Sequence, residues 1–496
     1  MNISLLLQMA ADAEPDRIGL VCDGRRWSYG SLLRAAQGAA TLMQKSGATH
    51  VALLDENSEA AAMALFGAAL AGIPYVPLNY RLADADLAAL LARIAPAFIV
   101  GDQARVNRLN PDGGHVTLSR AEFVAQAEQA EPHPGAEEVD GAIAVQLFTS
   151  GTTAAPKAAL LRHANLLSYI LGTVEFGSAS PEEAALVSVP PYHIAGISAL
   201  MSSIYSMRRI LLLPAFEPDA WLALAAAERA TNAFVVPTML SRIVARMDAG
   251  ARADLGTLQA VAYGGGRMPA ELIERALELF PDVGFTNAYG LTETSSTIAL
   301  LGPDDHRAAH RSADPVMRAR LASVGKPLPT VEIEVRDEEG RKLPVGERGE
   351  IHVRGEQVSG EYKERKALDN DGWFPTRDAG WIDADGYLFL AGRADDVIVR
   401  GGENISPGEI EDVLMTHPTI ADAAAVAVPS VEWGEAVGIA VVVRPGQTAP
   451  SEDELRSLIK NRLRSSRVPE RIAVLNALPY NEMGKLLRRE VRALFR

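Results

Sequence analysis

The sequence predicts an α/β protein: a large N-terminal domain of layered, mostly parallel sheets with helices and a small β unit, then a smaller α+β C-terminal domain. Three observations lead there. Up to about Val324, helical apolar spacing alternates with short buried-strand runs, the pattern that lays helices against parallel strands. Beyond it the texture changes to short alternating strands with turn signals. The chain of 496 residues also exceeds the size at which one core keeps growing, so two or more domains are expected.

Taken in order, "SYGSLLRAAQGAATLMQKSG" (Ser28 to Gly47) carries apolar residues at helical spacing, and "HVALLDEN" (50–57) reads as a buried strand. "SEAAAMALFGAALAG" is helical by composition and "IPYVPLN" strand-like. Apolar runs at 97–101, 143–149, 185–189, 209–213, 233–236 and 259–263 continue the alternation. "VEIEVRDEEGRKLPVGERGEIHVRG" and "GWIDADGYLFLAG" read as a small antiparallel β unit. The last stretch holds "AAAVAVPS", "GIAVVVRPG" and the helical "SEDELRSLIKNRLRSS". A linker near Gly392 to Asp396 divides the chain into 1–394 and 395–496. No internal repeat or low-complexity tract appears.

Hydrophobic residues at 48% and charged residues at 22% match a packed globular protein. A formal charge of −15 disfavours nucleic acid or an anionic membrane as the main partner. Cys22 is the single cysteine, so no internal disulfide forms, and its ordinary role is core packing. The opening "MNISLLLQMAADAEPDR" lacks the basic and long apolar regions of a secretory signal, and no run approaches a transmembrane length. A cytoplasmic setting is expected.

Chemistry concentrates in loops. In "FTSGTTAAPKAALL" (148–161) a strand runs into Thr149, Ser150, Gly151, Thr152 and Thr153, and Lys157 closes the loop before a helical run at about His163. Backbone N–H groups and hydroxyls of such a loop can surround phosphate oxygens while a lysine balances their charge. It is not a Walker loop, since Pro156 stands where that motif needs glycine. A plain strand-to-helix turn is the alternative. "AVAYGGGRMP" sets Gly264, Gly265 and Gly266 after a strand, where backbone can approach a flat ligand. "VGFTNAYGLTETSS" offers Tyr289 for stacking and Glu293 as a hard oxygen ligand for Mg²⁺. Asp378 in "GWFPTRDAG" suits a ribose diol. Arg393 stands beside the linker and Lys485 in "LPYNEMGKLLRRE". Singly, each has an ordinary role: Lys485 a surface lysine, Glu293 a helix-start carboxylate, Asp378 a turn residue, Arg393 a surface partner of Asp395 or Asp396.

Together and in this order, from "SYGSLL" and "AGIPYVPLN" to "GKLLRRE", these stretches resemble the adenylate-forming superfamily of acyl-CoA synthetases, luciferases and peptide-synthetase adenylation domains. The resemblance implies two steps. A carboxylate attacks the α-phosphate of ATP to give acyl-AMP and pyrophosphate, and a thiol then displaces AMP. By motif position, Thr149 to Thr153 and Lys157 would hold the β- and γ-phosphates. Gly264 to Gly266 with Asn287, Ala288, Tyr289 and Gly290 would line the adenine site. Thr292 would reach the α-phosphate, Glu293 would ligate Mg²⁺, and Asp378 and Arg393 would take the ribose hydroxyls. Lys485 would bridge the substrate carboxylate and the α-phosphate. The mobile C-terminal domain would pivot at Asp395, and Gly402 would line the thiol tunnel.

The resemblance also bears on substrate. Amino-acid-activating relatives carry an Asp for the amine where "PPYHIAGISALM" has none. It offers His193, at the position that flanks the carboxylate entrance in acyl-CoA synthetases; a satisfied core histidine is the alternative. The expected pocket walls, Ile194 to Met201, "AFVVPTML" and Thr294 to Ile298, carry no Arg to pair a second carboxylate. A hydrophobic fatty or aromatic monocarboxylic acid follows, with coenzyme A as acceptor, or the phosphopantetheine of an acyl carrier protein. A relative that binds without turnover is a further reading.

The motifs also depart from the superfamily pattern. Ala154 and Ala158 replace glycines, Arg377 stands where glycine is common, and Glu361 interrupts a usual Gly-Tyr pair. A position needing φ > 0 penalises alanine by about 1 kcal/mol or more. Ala154→Gly and Ala158→Gly are therefore expected to speed adenylation, read as pyrophosphate exchange into ATP; unchanged or slower exchange in both contradicts this.

Overall fold

A computed structural model describes residues 1–137, 139–149, 156–393, 396–401, 403–481 and 486–495. They fall into two compact units. The first comprises Met1–Leu321, Pro327–Glu332 and Arg354–Phe374, the second Ala322–Lys326, Ile333–Val353 and Pro375–Arg496.

The α/β alternation produces two sheets in the first unit. In one, Gly284–Leu291, Ala260–Gly264, Asn232–Val235, Ala184–Val187, Arg209–Leu212 and Ile18–Cys22 run parallel in that order. Ser296–Leu301 and Arg25–Ser28 join it antiparallel on either side. In the other, Ile143–Thr149, Tyr75–Pro77, His50–Leu54, Ala97–Gly101 and Val116–Ser119 are parallel. Lys157–Arg162 and then Glu361–Tyr362 extend that sheet antiparallel.

A single apolar core joins the sheets. Leu20, Val187, Ile210 and Leu212 of the first and Val51, Leu53, Val100 and Val145 of the second share it with residues of helices Ser4–Ala13, Tyr29–Ser46, Glu59–Ala71 and Ile194–Tyr205. Helix Glu59–Ala71 is buried at every position from Ala60 to Leu70, as a helix apolar all round must be. Burying Leu65 and Phe66 within it contributes roughly 1.5–3 kcal/mol each. Helix Tyr29–Ser46 starts and stops where its sequence signals: Ser28 Oγ accepts from Ser31 N, and Gly47 takes a left-handed φ of 70°.

In the second unit Glu332–Arg336, Gly349–Arg354, Phe374–Ile382 and Leu388–Arg393 make one small sheet, the last two antiparallel. The C-terminal part pairs Ile420–Ser430 with Gly434–Val443 antiparallel and adds Arg471–Leu475 in parallel. Helices Pro407–Met415 and Glu452–Arg462 share a core with these strands through Ile410, Leu414, Leu455 and Ile459. Among the described residues no helix is long and apolar enough to cross a membrane.

The helical run expected at about His163 is helix His163–Thr173; the residues before it, Lys157–Arg162, to which the sequence reading assigns no element, form a strand paired antiparallel with Ile143–Thr149 as a hairpin. Four apolar side chains in "KAALLR" are buried against the sheet, and extension buries them better than one helical stripe. Ala158, fully buried in that strand opposite Phe148, is absent from the positive-φ residues, so glycine there brings no relief and the expectation for Ala158→Gly is withdrawn. Ala154 lies outside the described residues.

Arg377 does sit in the left-handed region, with φ 62°, which accounts for the usual glycine. Arg377→Gly should exceed Arg377→Ala in stability by about 1 kcal/mol in chemical denaturation, because both lose the same side chain and only alanine keeps the Cβ strain. The reverse order contradicts the left-handed conformation.

Candidate active site

The hairpin brings Thr149 opposite Lys157, with Thr149 Oγ1 3.5 Å from the Lys157 carbonyl oxygen. Ser150, Gly151, Thr152 and Thr153 lie outside the described residues. Beyond the hairpin, Tyr362 pairs with Ala159, and Lys157 Nζ lies 5.9 Å from the Tyr362 ring centroid, within cation–π range. The Tyr362 hydroxyl donates to Glu293 Oε1 at 2.5 Å. Glu293 is buried (8% exposed), and its backbone carbonyl accepts from the N–H groups of Ser359 and Gly360 at 2.9 and 3.2 Å. Three distant parts of the chain thus meet around one carboxylate.

Glu361, the departure beside Tyr362, makes a two-point ion pair: Arg162 Nε and Nη2 reach its oxygens at 2.9 and 2.8 Å. Arg162 also donates to the Gly141 carbonyl. This pair pins the strand carrying Tyr362 to the end of the hairpin. Bidentate guanidinium–carboxylate pairs fix orientation as well as distance.

Thr292 and Glu293 stand in a short 3-10 turn, Thr292–Thr294. Thr294 Oγ1 accepts from Leu291 N and lies 3.0 and 2.7 Å from the carbonyls of Leu291 and Ser296. The next residues, Ser295 and Ser296, hold φ values of 56° and 116°, costly for non-glycine residues and characteristic of functional turns. Gly290 permits the tight return, since a Cβ there would lie 1.8 Å from the Ser296 carbonyl oxygen. Asn287, Ala288, Tyr289 and Gly290 occupy the end of Gly284–Leu291, beside Gly264, with Ala288 opposite it. A Cβ on Gly264 would meet the Ala288 carbonyl oxygen at 2.3 Å, so this glycine is required by the neighbouring strand. Gly265 and Gly266 form the bend that follows.

His193 precedes helix Ile194–Tyr205. Burial, then the charge of Arg81, lowers its pKa to about 4, so the ring is neutral near pH 7. Its Nε2 is shut off from solvent with no hydrogen-bond partner among the described residues, and the Tyr192 ring stands 4.5 Å away between centroids. Along the helix, Ile197, Leu200 and Met201 pack into the shared core, while the hydroxyls of Ser198 and Ser296 meet at 3.0 Å.

In the second unit Asp378 and Arg393 face each other across paired strands. Arg393 Nη1 lies 3.1 Å from Asp378 Oδ1 and donates to the Thr376 carbonyl at 2.9 Å. Among the described residues Arg393 pairs with Asp378, and Asp396 lies 3.6 Å from Arg488 Nε. Asp395, Gly402 and Lys485 lie outside the described residues.

Among the described residues no group of three or more His, Cys, Asp or Glu could hold a metal ion. Mg²⁺ bound through one carboxylate and substrate phosphates needs no such cage. Glu293 fits that requirement: it is a buried carboxylate whose Oε1 is held by the Tyr362 hydroxyl.

Sequence reasoning missed Tyr362, Arg162 and the function of Glu361. The usable signal was "GEYKE", a tyrosine and a carboxylate at successive positions of a short strand, where side chains point to opposite faces.

Residues 7–363 match the AMP-binding enzyme family and residues 409–485 the AMP-binding enzyme C-terminal domain. A fatty acid–[acyl-carrier-protein] ligase, ScoC, of Streptomyces coeruleorubidus is 33% identical over 98% of this chain and 95% of its own length. A feruloyl-CoA synthase of an Amycolatopsis species is 31% identical over 95% and 94%. The solved structure of o-succinylbenzoate CoA synthetase, MenE, from Bacillus subtilis with its acyl-adenylate intermediate superposes with a TM-score of 0.82 at 27% identity, covering 98% of this chain and 97% of that one. The chain therefore belongs to the AMP-binding enzyme family, within the adenylate-forming superfamily its motifs resemble.

Proposed function

We propose that the protein uses ATP to convert a hydrophobic fatty or aromatic monocarboxylic acid to acyl-AMP and pyrophosphate, then transfers the acyl group to the thiol of coenzyme A. The observation that carries this reading is the meeting of Lys157, Tyr362 and Glu293 in the first unit. One cation and one oriented carboxylate stand at the base of the hydroxyl-rich loop, as ATP phosphates and their counter-ion require. The solved relative that holds an acyl-adenylate supports the first step.

In this reading Thr149 to Thr153 and Lys157 hold the β- and γ-phosphates, and Thr292 takes the α-phosphate. Glu293 holds Mg²⁺, which neutralises phosphate charge when bound. Gly264 to Gly266 and Asn287 to Gly290 line the adenine, while Asp378 and Arg393 serve the ribose. Neutral His193 flanks the carboxylate entrance without adding charge to it. Lys485 stabilises the charge that develops as the carboxylate attacks phosphorus. A boundary between 394 and 395, with Asp395 as pivot, lets the C-terminal domain bring Lys485 for the first step and Gly402 for the second. Cys22 takes no part: burial pushes its thiol up to about 12. A cytoplasmic setting fits a chain with this single cysteine.

The second reading passes the acyl group to the phosphopantetheine of an acyl carrier protein. It is favoured by the near full-length similarity to the carrier-protein ligase of Streptomyces coeruleorubidus.

Pyrophosphate exchange into ATP, measured over a panel of acids, tests the activation step. Aliphatic or aryl monocarboxylic acids should support exchange; exchange with α-amino acids alone, or with none, contradicts the reading. Thioester formation with coenzyme A compared with carrier proteins then decides the acceptor.

A further inference from the structure

Arg93 stands where helix Asp84–Ala92 ends, and the reaction scheme above assigns it no part. Its guanidinium nevertheless reaches the base of the hairpin that carries Thr149 and Lys157. Nη1 donates to the Pro156 carbonyl at 2.7 Å, and Nη2 reaches Glu364 Oε1 at 2.6 Å. The guanidinium carbon also lies 4.8 Å from the Phe148 ring centroid, within cation–π range. Phe148 belongs to the first strand of the hairpin, Ile143–Thr149, and Glu364 stands just beyond the strand Glu361–Tyr362. The main chain of Arg93 is engaged as well: its carbonyl accepts from Lys363 Nζ at 2.9 Å. Lys363 N in turn donates to the Ala158 carbonyl at 2.9 Å. All of these residues lie in the first unit.

These bonds converge on one residue from two sides. The Pro156 carbonyl shares a planar peptide with Lys157 N, and the Ala158 carbonyl belongs to the residue that follows. Arg93 grips the first, and Lys363, itself bonded to Arg93, grips the second. Lys157 is thus held between two fixed carbonyls, opposite Thr149, with its Nζ 5.9 Å from the Tyr362 ring centroid. Stability does not explain the arrangement. The Arg93 and Glu364 side chains remain 30% and 52% exposed, and an ion pair so open to water contributes little to folding. A planar guanidinium that donates in two directions while its face lies on an aromatic ring is suited instead to fixing geometry.

We propose that Arg93 is a positioning residue for Lys157. By holding the Pro156 carbonyl against Phe148 and Glu364, it sets the direction in which the lysine ammonium meets the β- and γ-phosphates of ATP. It acts through Lys157 and not on the nucleotide directly. This inference rests on the reading that Lys157 takes those phosphates. AMP lacks them, so its binding is indifferent to Arg93.

Titration calorimetry on the full-length protein, with Mg²⁺-ATP and with AMP, separates this from a general structural role. Arg93→Ala should weaken ATP binding roughly 10- to 100-fold, the value of a lost hydrogen bond to a charged group, and leave AMP within about twofold of wild type. Arg93→Lys keeps the charge but not the fork. It should show a smaller loss, again for ATP alone, and it takes the place of the alanine variant in every arm should that variant give no cooperative melting curve. In a Lys157→Ala background the Arg93 substitution should change ATP affinity by about twofold or less, because nothing is left for it to position. Wild-type ATP affinity in the Arg93 variants, equal losses for ATP and AMP, or an undiminished effect in the Lys157→Ala background overturns the inference while leaving the functional reading intact. Wild-type ATP affinity in Lys157→Ala alone overturns the reading of that lysine and the inference with it.

Discussion

The bond from the Tyr362 hydroxyl to Glu293 Oε1 is the contact on which the site in the first unit depends. Hydrogen bonds to a carboxylate are roughly twice as strong as neutral ones, and this one closes a loop of dependencies. The strand with Tyr362 is aligned on the hairpin by Ala159 and by the Arg162–Glu361 pair. The turn with Glu293 is gripped through its own carbonyl by Ser359 and Gly360. Because strand side chains alternate in direction, a slip of one residue would exchange Glu361 and Tyr362 between faces and undo both contacts. Register, and not composition, makes the carboxylate available in one orientation.

The surrounding backbone adds rigidity at a local cost. Gly290 admits a return so tight that any side chain would overlap the Ser296 carbonyl, and two serines then hold positive φ. Such conformations persist only where neighbours over-determine them. Here Thr294 Oγ1 sits between the Leu291 and Ser296 carbonyls, and Gln357 Nε2 donates to the carbonyls of Thr294 and Thr297 at 3.0 and 2.8 Å. The carboxylate is thus presented by a turn that neighbouring bonds hold in place.

Much of this was legible in the sequence. The helix from Tyr29 to Ser46 announced itself by its period, and the strands at 97–101 and 143–149 by apolar runs that begin and end where the structure has them. The pairing of Asp378 with Arg393 was not legible, since it depends on strand register between segments that sequence treats as separate. Nor was the strand Lys157–Arg162: an apolar run of that length fits a buried helix as well as a strand, and only its partner decides. Arg377 was noticed as an oddity, and its left-handed backbone supplies the reason. Tyr362 and Arg162 escaped because their contacts are made with partners far along the chain.

A double-mutant cycle on pyrophosphate exchange tests the central contact most directly. Tyr362→Phe should lower exchange in the otherwise wild-type protein and have almost no effect in a Glu293→Ala background, giving a coupling of about 1 kcal/mol or more. An equal loss in both backgrounds would show that the tyrosine does not act through that carboxylate and would contradict the account.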